Sequence, residues 1–133
     1  MIRQDKKWSV VACILVALFF TETAQASKQS LISKTPGTVE KTVRTAFART
    51  PILIKIAKCE SQFRQFDEDG SVLRGKVDKR DTGVMQINTK YHAKSAAELG
   101  FDITTTEGNI AYAKYLYKHQ GTSPWKASKS CWG

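Results

Sequence analysis

Ile56-Ala57-Lys58-Cys59-Glu60-Ser61-Gln62-Phe63 is the stretch from which both the fold and the chemistry of this chain are read. On a helix, Glu60 lies one turn after Ile56 and Ala57 and one turn before Phe63, so its near neighbours are apolar. Desolvation disfavours the charged form of a carboxyl in such a place. Its pKa rises above the reference of about 4.3, toward what a general acid near neutral pH requires. Ser61 follows with a hydroxyl that can both donate and accept. The competing reading is an ordinary surface Glu near a helix end, since buried acids are rare.

The residues around this stretch build its helix. Thr50-Pro51 is a start signal, an N-cap residue followed by Pro at the first helical position. Ile52, Ile56, Cys59 and Phe63 then form a stripe, with Lys55, Lys58 and Gln62 elsewhere around the cylinder. Cys59 and Glu60 are about 100° apart, so one can face a core while the other faces a cleft. Upstream, Val39, Val43, Ala46 and Phe47 recur at helical spacing and predict a short amphipathic helix.

At the start of the chain, Met1 to Lys7 is basic, Val10 to Phe20 is an unbroken apolar run of 11 residues, and Ala24-Gln25-Ala26 offers a small-x-small cleavage site. The run is shorter than the roughly 20 residues that span a bilayer. Residues 1–26 read as a removable secretion signal, which leaves no stable membrane anchor. Val10-Val11-Ala12-Cys13 resembles a lipoprotein acylation box, but the apolar residues lie mostly after the Cys. Residues 27–37 read as a polar arm or linker and 38–133 as a single domain. The chain after residue 26 has 107 residues and a charge balance of +8, because the signal takes three of the 21 basic and two of the 12 acidic residues.

That balance favours polyanionic surroundings, which for an exported protein are cell-wall polymers, acidic glycans or lipid head groups. Nucleic acid is not expected, because the chain carries no helix-turn-helix, zinc or aromatic RNA-binding signature. Cys13 leaves with the signal, so Cys59 and Cys131 remain as an even pair in an oxidising compartment, periplasmic or extracellular. A disulfide between them is the expectation; the alternative is a nucleophilic Cys59 served by His92 or His119.

Downstream, Phe63 to Gly75 reads as a hairpin turning at Asp69-Gly70. Aligned as a calcium loop, it places Gln65 at the first position and Lys76 at the twelfth, where a bidentate acid is needed, so no metal is expected. Gly83-Val84-Met85-Gln86-Ile87-Asn88 follows. Gly83 permits close backbone approach, and Gln86 and Asn88 alternate with Met85 and Ile87 as amides suited to sugar hydroxyls and acetamido groups. Asn88 or Thr89 can cap a helix from Lys90 to Leu99 that stops at Gly100. Thr105 or Thr106 can cap another that ends before Gly121. Ser123-Pro124 opens a last short helix with Trp125, Ala127 and Cys131 available for burial. His92 and His119 lack metal-ligand spacing and read as structural or solvent-facing.

Glu60-Ser61, then Gly83-x-Met85-Gln86-Ile87-Asn88, then Asn109-Ile110-Ala111-Tyr112-Ala113-Lys114-Tyr115-Leu116 together resemble the catalytic domain of the soluble lytic transglycosylases, and more loosely goose-type lysozymes. The resemblance runs from about Pro51 to Trp132. It implies a lysozyme-like α+β fold, mostly helical with a small β-hairpin beside the cleft, acting as a monomer without cofactor on peptidoglycan glycan strands. It further implies that Glu60 cuts between N-acetylmuramic acid and N-acetylglucosamine and leaves 1,6-anhydromuramic ends. Ser61, Met85, Gln86 and Asn88 would bind substrate. The chain lacks the Ala-Tyr-Asn motif whose Tyr lies near the acid in larger members, and Tyr112 is the candidate to complete the cleft. An enzyme with a second carboxylate among Asp67, Asp69, Asp78 and Asp81 would be a hydrolase instead. A cationic wall-binding module without activity is the reading from outside enzymology.

Overall fold

A computed structural model describes residues 35–133. The stretch read from sequence as a secretion signal, 1–26, and the part of the expected arm up to residue 34 lie outside the described residues. The first helix, α1, spans Pro36–Ala46, so the last two residues assigned to the arm are helical. Val39 and Val43 repeat every fourth position and continue into Phe47, and all three are buried. Glu40 and Arg44 pair on the exposed side.

Helix α2 spans Pro51–Ser61, with Pro51 at its start; Thr50 precedes it but makes no side-chain cap. Its buried face is Leu53, Ile56, Ala57 and Ser61. The expected stripe is therefore rotated, with Ile52 and Cys59 on the flank of the core and Phe63 beyond the helix end. Gln62 (φ 55°) and Phe63 (φ 61°) both adopt the left-handed conformation, and the Gln62 N–H closes the helix on the Lys58 carbonyl. This stop leaves Glu60 in the last turn, next to a sharp change of chain direction.

The hairpin expected at Asp69-Gly70 is present only as a tight turn closed by a single bridge, Phe66 to Val72. Three consecutive acids, Asp67 to Asp69, and then Gly70 offer no apolar face to pack, so no ladder extends from it. Regular pairing lies further on, where β1 (Asp81–Thr82) runs antiparallel to β2 (Ile87–Asn88) with Asp81 opposite Asn88. Helix α3 (Thr89–Glu98) follows at once, capped by Asn88, whose side chain accepts from the Lys90 N–H. Helix α4 (Thr106–Gln120) is capped by Thr105, which accepts from the Gly108 N–H.

Helix α4 is the centre of the packing and buries Asn109, Ile110, Tyr112, Ala113 and Leu116. Against it lie α1 and a 3-10 helix, Ser123–Ser128. The chain ends in α5, Lys129–Trp132, which packs on α2. Trp125 and Trp132 fill the space beneath these two turns, whereas Ala127 and Cys131, expected to be buried, face outward. The two indoles remove far more area from water than an alanine and a half-cystine would, and they decide which face turns inward. Cys59 and Cys131 are joined by a disulfide, with Cα atoms 6.0 Å apart. Among the described residues no helix is long and apolar enough to cross a membrane. The class is thus α+β, predominantly helical with one small antiparallel sheet.

Candidate active site

Glu60, Asp81 and Gln86 line both of two adjoining depressions, of about 330 and 530 Å3, and so form the floor of one groove. The smaller half is walled by Ile87, Tyr91, His92, Leu116, Pro124 and Trp125 among others. None of these lies on α2, so the setting of Glu60 comes from β2, α3, α4 and the 3-10 helix. Burial pushes the Glu60 carboxyl above its ordinary value, a hydrogen bond from Ser128 pulls it back in part, and the negative charge of Asp81 raises it further.

Ser128 is the residue that sequence reasoning missed. Its hydroxyl lies 2.5 Å from Glu60 Oε1, 3.0 Å from the Trp125 carbonyl oxygen, and accepts from Trp132 Nε1 at 2.9 Å. One hydroxyl has one proton, so it serves the carboxylate or the carbonyl, not both at once. When Glu60 is ionised the Ser128 proton belongs on its oxygen; when Glu60 is protonated it can donate to Ser128, whose proton then turns to Trp125. A bond to the acid is available in both charge states.

The other expected site residues divide sharply. Gln86 stands in the groove in a left-handed conformation (φ 48°), with its side-chain amide donating to the Gly83 carbonyl. Ser61 does not face the groove: it is buried, and its hydroxyl lies 2.8 Å from the Val84 carbonyl oxygen and 3.2 Å from that of Ala57. Met85 is fully buried, with its N–H donating to Asn109 Oδ1 and its carbonyl accepting from Trp125 Nε1. Asn88 borders the groove, but its amide is engaged: Oδ1 caps α3 and Nδ2 donates to Asp81 and Asp78.

Tyr112, the candidate to complete the cleft, is 1% exposed. Its hydroxyl meets Ser95 Oγ at 2.6 Å and His92 Nδ1 at 3.2 Å, so it stands behind the wall and holds His92 in it. The exposed tyrosine on the groove is Tyr91, 68% accessible. His92, read from sequence as structural or solvent-facing, lines the groove, and burial pushes its pKa down so that the neutral ring is favoured.

Beneath the groove, Gln65 and Asn109 act as a clamp on the segment joining β1 to β2. Gln65 accepts from the Val84 N–H and donates to the carbonyls of Ile103 and Thr104. Asn109 accepts from the Met85 N–H and donates to the carbonyls of Thr82 and Ile103. A Cβ at Gly83 (φ 70°) would meet both amides at 2.5 to 2.6 Å, so only glycine leaves room for them. Comparison with protein-family models, with curated proteins and with solved structures finds no match to this chain.

Proposed function

We propose that the chain is a lytic transglycosylase that cuts the β-1,4 bond between N-acetylmuramic acid and N-acetylglucosamine in peptidoglycan. The observation that carries this reading is one half-buried carboxyl, Glu60, whose burial favours the protonated form at the floor of an open groove. Glu60 protonates the glycosidic oxygen as the bond to the anomeric carbon breaks. Its carboxylate then takes the proton from the muramic 6-hydroxyl, whose oxygen closes on the anomeric carbon to give the 1,6-anhydro ring. Each cut thus consumes no water and returns Glu60 to its starting state. The Ser128 hydroxyl supports both halves of this cycle, because it can bond the acid and its conjugate base.

Gln86, Tyr91 and His92 are the groups placed to hold sugar: an amide, a ring face and a neutral imidazole around one concavity. Asp67 and Asp69 are exposed, and Arg80 holds Asp78 far below the ordinary carboxylate range. Asp69 and Asp78 line neither half of the groove and Asp67 lines only the larger, so these three are less well placed as a second carboxylate. Asp81 favours the other enzymatic reading, hydrolysis, because it lines both halves of the groove with Glu60. Mass spectrometry of digested walls separates the two. Anhydro ends without new reducing sugar are expected; one added water per cut would reassign the reaction and make Asp81 the second group. A wall suspension that keeps its turbidity under the purified protein would instead leave a binding module.

A further inference from the structure

The two halves of the groove differ in charge. The larger one is lined by Arg64, Arg74, Lys76 and Lys79 and, besides the Glu60 and Asp81 that both halves share, by the single carboxylate Asp67; the smaller one has only His92 among basic residues, and burial favours its neutral form. We propose that the larger half is a binding site for the carboxylates of the peptides that branch from muramic acid, so that the protein engages peptide-bearing strands and lays them in one direction. This site rests on the peptidoglycan reading above.

The cations there are poorly compensated. Asp67 stands 3.9 Å from Arg64, Asp78 is taken by Arg80, and Asp81 accepts from Asn88. Among the described residues no carboxylate lies within ion-pair distance of Lys76, Lys79 or Arg74. The backbone of the loop that carries Arg74, Lys76 and Lys79 is held in place. Arg74 donates to Thr82 Oγ1 at 2.5 Å, the Gly75 N–H donates to the Asp81 carbonyl, and the Asp81 N–H returns to Asp78. Gly75 closes this loop so tightly that a Cβ would stand 2.3 Å from the Asp78 carbonyl oxygen. An unordered loop would lose part of its binding energy to ordering; this one has already been fixed.

The chemistry between the charges decides for peptide over a bare anion. Val77 projects from the same loop, between Lys76 and Lys79, with 103% of its surface exposed. A phosphate gains nothing from that isopropyl group. A short peptide of small apolar residues ending in carboxylates meets it with a methyl or alkyl chain while its charges reach the ammonium groups.

The test is binding of the Glu60→Gln protein to matched glycan strands that carry their peptides or have had them removed. Peptide-bearing strands should bind about tenfold more tightly at low salt, the sum of a few exposed charge contacts. The gap should close with added salt and fall to parity in Lys76→Gln/Lys79→Gln. Equal affinity for the two strands would overturn the site, as would inorganic phosphate displacing the strands as effectively as the free peptide does. The free tetrapeptide alone should move the amide resonances of Lys76, Val77 and Lys79. If it does so while walls remain uncut, the site stands and the enzymatic reading falls; if it does not, the site falls whatever the enzyme does.

Discussion

At the scale of single residues, the behaviour of Glu60 is set by what surrounds its carboxyl. Because its folded pKa is raised, neutral Glu60 favours folding. That contribution is full below the unfolded pKa and is lost as pH rises through the folded value. Glu60→Gln keeps the shape and an oxygen for Ser128, so its melting temperature should match wild type at low pH and be no lower at neutral pH. Wall cleavage should fall by about 10² to 10⁴-fold. Near-normal turnover would mean that another group is the acid. Ser128→Ala removes a donor that stabilises the carboxylate, so the Glu60 titration midpoint, followed by carbon NMR of the side chain, should rise further. Ser128→Thr, which keeps the hydroxyl, should restore it; a midpoint indifferent to both changes would show that Ser128 does not act on the acid.

At the scale of elements, the segment Gly83 to Asn88 is a platform for one residue. Ser61 on α2, Gln65, Asn109 on α4 and Trp125 on the 3-10 helix all bond its backbone, and of its two side-chain amides only Gln86 lines both halves of the groove beside Glu60. Asn109→Leu should cost about 2 kcal/mol or more, since it strands the Met85 N–H and takes a donor from the Thr82 and Ile103 carbonyls, the second of which keeps Gln65. Chemical denaturation measures this, and a loss under 1 kcal/mol would mean that the clamp is not tight. Gly83→Ala should destabilise as well, by forcing a Cβ into those amides at a positive φ. In sequence, an amide that binds sugar and one that binds backbone are the same letter. Gln86 and Asn88 therefore looked alike, although the cap of α3 and the tie to Asp81 use up Asn88.

At the scale of the whole molecule, the disulfide fastens the last turns of the chain to the helix that carries the acid. Those turns bring Ser128, Trp125 and Trp132 against Glu60 and the core. Cys59→Ser/Cys131→Ser should cost roughly 2 to 5 kcal/mol of stability. At temperatures where the variant stays folded, it should also raise the Glu60 midpoint, because the donor segment is no longer held. Thermal unfolding and the same carbon titration read both effects. An unchanged midpoint with a lowered melting temperature would place the disulfide in stability alone.

The sequence by itself determined what depends on near neighbours and on arithmetic. Helical periodicity, caps to within one residue at Asn88 or Thr89 and at Thr105 or Thr106, glycine stops at Gly100 and Gly121, and the pairing of Cys59 with Cys131 were all legible. Spacing of three and four residues is local physics, and with Cys13 assigned to the expected signal the two other cysteines have one pairing. Tertiary structure alone decided which groups meet Glu60. Its apolar walls come from other elements, its hydrogen-bond donor lies 68 positions away, and the tyrosine at the groove is Tyr91 rather than Tyr112. Helix α3 carries both His92 and Tyr91, and Tyr112 of α4 is bonded behind the wall to His92. Which aromatic reaches the groove follows from how α3 packs on α4, and no local pattern encodes that packing.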